Sequence, residues 1–188
     1  MALHIAFEKS TDTLIKRLVK FVCGPYVHTE LIVTEKVFDV KGDHSLTHIG
    51  YTTYMRENFG RVFQKDFWYS DEYHDFLLLP VTPEELFRIS KACEACVESK
   101  IPYNTTDMIL CTMPLRNPTE RDLYASKSLF CSQAIVLLLR SCLDRENKLQ
   151  DTLAFVNSRT VTPTHLYETL KPFCTRRTKA QVMEHHRV

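Results

Sequence analysis

The chain has no long hydrophobic run. Its longest, Ala134 to Leu139, stops at Arg140, far short of the roughly 18 apolar residues of a membrane-crossing helix. The opening residues Met-Ala-Leu-His-Ile-Ala-Phe-Glu-Lys hold no secretory apolar region. An excess of one charge is missing too. The 24 Lys and Arg residues against 23 Asp and Glu leave a net charge of +1, which sets up no general field for nucleic acid or anionic lipid. The expectation is no nucleic-acid partner and no membrane span. A regular cysteine framework is absent as well. Seven cysteines, an odd number at irregular spacing, argue against a full set of disulfides, so reduced thiols in the cytoplasm are the simpler reading. There is no internal repeat and no low-complexity stretch.

What remains is a globular composition. Of 188 residues, 44% are hydrophobic and 11% aromatic, enough for one domain with a real core. Leu3 to Phe7 reads as a strand. Ser10, Thr11 and Asp12 offer caps for a helix whose apolar stripe is Leu14, Leu18 and Phe21 with Ile15 and Val22, stopped by Gly24-Pro25. Val27 to Val33 reads as a strand, with Val37 to Lys41 as its hairpin partner. Residues 42–60 are polar and hold either a further strand or a site loop. Arg61 to Tyr69 and His74 to Val81 read as strands. Pro83 opens a helix to about Ser99, and a second helix carries Cys131 to about Asp144. Pro163 opens a last short helix. This order predicts an α+β domain over residues 1–174 and a flexible basic tail over 175–188.

Cys131 lies where Ser-Leu-Phe-Cys-Ser-Gln turns into the apolar Ala-Ile-Val-Leu-Leu-Leu. With Ser128 as the helix cap, its thiol falls in the first turn, where free N–H groups and the positive end of the dipole favour a thiolate. Taken alone, such a cysteine reads more readily as a small buried hydrophobe than as a nucleophile. His28 lies in Tyr-Val-His-Thr-Glu-Leu-Ile-Val. Strand alternation puts Val27, Thr29, Leu31 and Val33 on the core face and His28, Glu30 and Ile32 on the other. A nucleophilic cysteine needs a base, and the base needs an orienting group. Glu30, on the face of His28, and Asp39, on the next strand, are the two candidates for that third role. The remaining cysteines read as structural. Cys93-x-x-Cys96 lacks a second ligand pair at zinc spacing, and a zinc-binding domain that adds the terminal histidines is the weakest option. His44 and His48 are alternative bases without a strand to hold them.

Together these segments resemble the circularly permuted branch of the NlpC/P60 papain-like superfamily, in which the histidine precedes the cysteine. The resemblance rests on Tyr26-Val27-His28-Thr29-Glu30-Leu31 as the histidine strand and Leu79-Pro80-Val81-Thr82-Pro83 as the strand-to-helix passage. It also rests on Ile101-Pro102-Tyr103-Asn104, on Phe130-Cys131-Ser132-Gln133 as the nucleophile motif, and on Val161-Thr162-Pro163-Thr164-His165-Leu166 near the end. Gln133 departs from the glutamate common there. The resemblance implies a small antiparallel sheet or barrel packed on the cysteine helix. It also implies a cysteine hydrolase or amidase acting on a peptide, amide, ester or thioester, with catalytic Cys131, His28 and Glu30 and with Tyr103 lining the substrate cleft. No metal or organic cofactor is needed. Relatives of this kind occur in bacteria and large DNA viruses, so the setting is a cytoplasm, that of a host cell, or a virion. A catalytically silent structural or interaction module with the same fold is the alternative.

Overall fold

The computed structural model describes residues 1–38, 44–53, 59–63, 69–104, 108 and 129–183. Six strands make one antiparallel sheet. They are β1 (Ala2–Glu8), β2 (His28–Phe38), β3 (His44–Thr53), β4 (Phe59–Phe63), β5 (His74–Leu78) and β6 (Thr175–Arg177), in the order β4-β3-β2-β1-β5-β6. The helices among the described residues are α1 (Leu14–Cys23), α2 (Pro83–Glu98), α3 (Cys131–Cys142), α4 (Lys148–Ala154), α5 (Pro163–Leu170) and α6 (Lys179–Met183). The chain is therefore α+β.

Period-two patterning builds the core. Leu3, Ile5 and Phe7 of β1, Leu31 and Val33 of β2, and Tyr51 of β3 share one buried face with Leu86 and Ile89 of α2 and Ile135 and Leu138 of α3. Every residue from Cys131 to Leu139 is buried. This explains why α3 is apolar all round: it packs on the sheet and also meets α2, α4 and α5. The start of α2 is fixed by a capping box, in which Glu85 N–H donates to Thr82 Oγ1 (3.2 Å) and Thr82 N–H to Glu85 Oε2 (2.8 Å). Glu85 also accepts from Asp144 N–H (2.9 Å), tying the end of α3 to the start of α2.

Four expectations change. The partner of β2 is β3, not Val37 to Lys41. β2 runs on to Phe38 and pairs Phe38 with His44, and residues 42–60 contain the strand β3. Asp39 lies outside the described residues. The second change concerns the C-terminus. Residues 175–183 are not a loose tail: β6 pairs with β5, and Val182 of α6 is fully buried on the reverse face of the sheet against Ala6, Ile32, Tyr69 and Phe76. That face needed a cover, because Ile32 and Phe76 are too apolar to meet water. Third, the strand expected at Arg61 to Tyr69 is β4, at Phe59–Phe63. Fourth, the described side chains of the apolar stripe of α1 stay outside the core. Leu14 is 83% exposed, Leu18 64%, Phe21 89% and Val22 49%.

Candidate active site

His28 is the first residue of β2 and Cys131 the first of α3. They are 103 positions apart, yet the thiol and the imidazole are close enough for each to shift the titration of the other. Several local devices bring them together. On the cysteine side, the backbone of Leu129 forms a parallel bridge with Tyr103: Leu129 N–H donates to the Pro102 carbonyl (3.0 Å) and Asn104 N–H to the Leu129 carbonyl (2.9 Å). This holds Phe130 extended, at φ −105° and ψ 167°, so the helix begins at Cys131 with Phe130 as its cap. The expected Ser128 cap is therefore displaced by two positions, and Cys131 is the first helical residue rather than the third. Gln133 Oε1 accepts from Phe130 N–H at 3.4 Å, and Ser132 Oγ donates to the Val161 carbonyl at 2.7 Å. The first intrahelical bond is Ala134 N–H to the Phe130 carbonyl. The N–H groups of Cys131, Ser132 and Gln133 thus have no partner within the helix.

On the histidine side, α1 ends at Gly24, whose φ of +92° suits only glycine. A Cβ there would sit 2.9 Å from Thr164 Oγ1, the same oxygen that accepts from Tyr26 N–H at 3.2 Å. Tyr26 then donates its hydroxyl to Asp75 (2.6 Å) and packs against Phe7 and Tyr167. Val27 N–H donates to the Glu8 carbonyl, and His28 stands opposite Glu8 in register.

The group on the far ring nitrogen is Thr52 of β3. Its Oγ1 lies 3.0 Å from His28 Nε2 and 2.8 Å from the Thr29 carbonyl oxygen. A carbonyl only accepts, so the single hydroxyl proton of Thr52 goes to Thr29. Oγ1 must then accept from His28 Nε2–H. This assigns the neutral tautomer with its proton on Nε2 and leaves Nδ1 unprotonated. The same acceptor also suits the doubly protonated imidazolium. Sequence reasoning missed Thr52 because it missed β3. The signal was the run Thr47-His48-Ile49-Gly50-Tyr51-Thr52-Thr53, rich in β-branched and aromatic residues.

The electrostatics push the pair apart in the useful direction. Burial raises the Cys131 thiol, but the neighbouring His28 charge, the bond to its ring and a hydrogen bond with the Thr29 backbone outweigh this and bring it below its ordinary value. Burial lowers His28, while the Cys131 charge and hydrogen bond, then Glu30 and Glu8, carry it above its ordinary value. A lowered thiol beside a raised imidazole favours thiolate and imidazolium. His28, half-buried, is the more open of the two; Cys131 is only 4% exposed.

Glu30 lies on the His28 face, opposite Ala6 and beside the Tyr69–Phe76–Val182 cluster. It is 6% exposed, and among the described residues its Oε1 meets no hydrogen-bond donor. Burial pushes its carboxyl up to about 7, partly countered by the His28 charge. It acts on the ring through its charge, while the hydrogen bond to Nε2 is that of Thr52. Tyr103 is half-buried, with its backbone beside Leu129, two residues before Cys131. His48 is buried on β3 with Nδ1 2.9 Å from Thr34 Oγ1. Cys93 and Cys96 are buried in the core. Among the described residues no group of three or more His, Cys, Asp or Glu is arranged to hold a metal ion, and no helix is long and apolar enough to cross a membrane.

No protein-family model, no curated protein and no solved structure matches the chain. The reading of the site therefore rests on its own geometry.

Proposed function

We propose that the protein is a cysteine-nucleophile hydrolase of the permuted papain-like type, acting on an amide, ester or thioester. One observation carries this reading: the Cys131 thiol at a helix start stands beside His28, each shifting the other toward its charged form, and His28 Nε2 is held 3.0 Å from Thr52 Oγ1. The Cys131 thiolate attacks the substrate carbonyl carbon, forming the C–S bond and a tetrahedral oxyanion. N–H groups at the start of α3 that have no partner within the helix, that of Cys131 first, stabilise the oxyanion. As the intermediate collapses, His28 gives its proton to the departing amine, alcohol or thiol. An acyl thioester remains on Cys131. His28, now neutral, takes a proton from water, which releases the acid and restores the thiolate. Glu30, through its charge, supports the imidazolium, and Tyr103 is placed in the approach to the nucleophile by the family resemblance.

The test is acyl trapping with p-nitrophenyl acetate. The expected result is a burst of nitrophenol with an acetyl group on the Cys131 peptide, lost in Cys131→Ala and strongly slowed in His28→Ala. Acetylation spread over other residues, or left unchanged by His28→Ala, contradicts the proposal.

A further inference from the structure

Helix α1 turns its apolar side away from the protein. Leu14, Leu18, Phe21 and Val22 recur at helical spacing and form one stripe, and all four are exposed. The opposite side is pinned. Lys16 Nζ lies 2.6 Å from Glu8 Oε1 and 3.0 Å from Asp12 Oδ1. Thr13 Oγ1 caps the start by accepting from Lys16 N–H, and Gly24 N–H closes the end on the Lys20 carbonyl. The stripe therefore faces outward because α1 is held from behind. The helix has no acidic residue. Lys16 is neutralised by its two carboxylates, which leaves the exposed Arg17 and Lys20 as the cations of the rim. At 100° per residue, Arg17 falls next to Phe21 on the edge of the stripe, with Lys20 beyond it.

We infer that α1 is an interfacial helix that seats the protein on an anionic lipid surface. Leucine and phenylalanine on one side with lysine and arginine beside them is the composition of helices that lie in the headgroup layer. A cationic rim is complementary to phosphatidylserine or similar lipids. A second protein is a poorer occupant, since four apolar side chains are few against the about 20–30 residues per side of a stable protein interface. The near-neutral whole-chain charge does not oppose this, because the attraction is local and decays within a Debye length. The site lies at the same end of the molecule. Glu8, which holds Lys16, stands opposite His28 in the sheet, and only Gly24 to Val27 separate α1 from β2. Docking through α1 brings the His28 end of the sheet to the lipid, whatever the chemistry at Cys131.

Vesicle flotation of the full chain tests this, using phosphatidylcholine with roughly a third phosphatidylserine, against phosphatidylcholine alone. The protein floats with the anionic vesicles, and added salt weakens the association. Leu18→Ser/Phe21→Ser weakens it by at least about tenfold. Arg17→Gln/Lys20→Gln weakens it by about fivefold per charge and removes most of the salt dependence. All these side chains are exposed, so the variants keep the parent's thermal unfolding midpoint. Failure of the parent to float, or flotation unchanged in Leu18→Ser/Phe21→Ser, overturns the inference. A concentration-dependent dimer in solution that this serine variant converts to monomer also overturns it, and assigns the stripe to a second copy.

Discussion

A threonine hydroxyl has one proton to give, and Thr52 gives it to the Thr29 carbonyl. What Oγ1 offers His28 is therefore an acceptor, and that assigns the ring's tautomer without any carboxylate at Nε2. Thr52→Val keeps the side-chain shape, removes the acceptor and strands the Thr29 carbonyl; Thr52→Ser keeps both bonds. The valine variant is expected to lose roughly tenfold or more in the rate at which Cys131 reacts with iodoacetamide near neutral pH, as for other groups that orient a reactive side chain. The serine variant stays near the parent. Glu30 gives a prediction of a different kind. Its folded pKa, about 7, lies above the ordinary carboxylate value because it is buried. A raised folded pKa means the protonated form suits the fold, so its stabilising effect is full at low pH and fades as pH rises from about 4.5 to about 7. Glu30→Gln removes that loss. Urea unfolding at pH 5 and pH 8 should show the variant gaining on the parent with rising pH, by up to about 3 kcal/mol. The same variant loses one charge that supports the His28 imidazolium, so the Cys131 thiol rises.

Among the elements, the turn from α1 into β2 sets the position of His28. Gly24 combines a left-handed φ with a near contact on Thr164, so Gly24→Ala meets both backbone strain and a clash. The expected cost is above about 1 kcal/mol, measured by denaturant unfolding, together with slower Cys131 reactivity because Tyr26 and His28 follow directly. Elements with a strong local signal were legible in the sequence. Pro83 with Glu85 marked α2, Pro163 marked α5, and alternation marked β1 and the core face of β2. The apolar run marked α3 but not its first residue, because the Leu129–Tyr103 bridge that delays the helix is a long-range contact. β3 went unread because its residues are mostly polar and its pairing with β2 is not marked by any local pattern. Amphipathicity showed that α1 exists but not which way its stripe faces. That is decided by Lys16, Glu8 and Asp12, which pin the polar side.

For the molecule as a whole, the sheet has two covered faces, and the cover on the second comes from the C-terminal segment. Val182 is fully buried on Ile32 and Phe76, and Arg176 pairs with Asp75 at 2.6 Å. Val182→Ala removes two buried methyl groups and is expected to cost about 1–2 kcal/mol in denaturant unfolding. It also loosens the apolar cover beside Glu30, so the carboxyl should fall from about 7. The α+β class and most of the longer elements were readable before the fold was known, and the sequence pattern singled out Cys131 and His28. The third partner and the role of the last residues were not, because both depend on contacts between segments far apart in sequence.

The central claim is that Cys131 and His28 work as an ion pair, and site-resolved iodoacetamide labelling followed by mass spectrometry across pH tests it most directly. Burial holds Cys96 and Cys142 up at about 11 and Cys174 at about 12, so these thiols serve as internal controls. Cys131 is predicted to label fastest, with its half-rise well below the ordinary thiol value of about 8.5, and His28→Ala should move that half-rise upward and slow the reaction. If Cys131 instead labels no faster than the buried controls, with a profile that His28→Ala leaves unmoved, the account is contradicted.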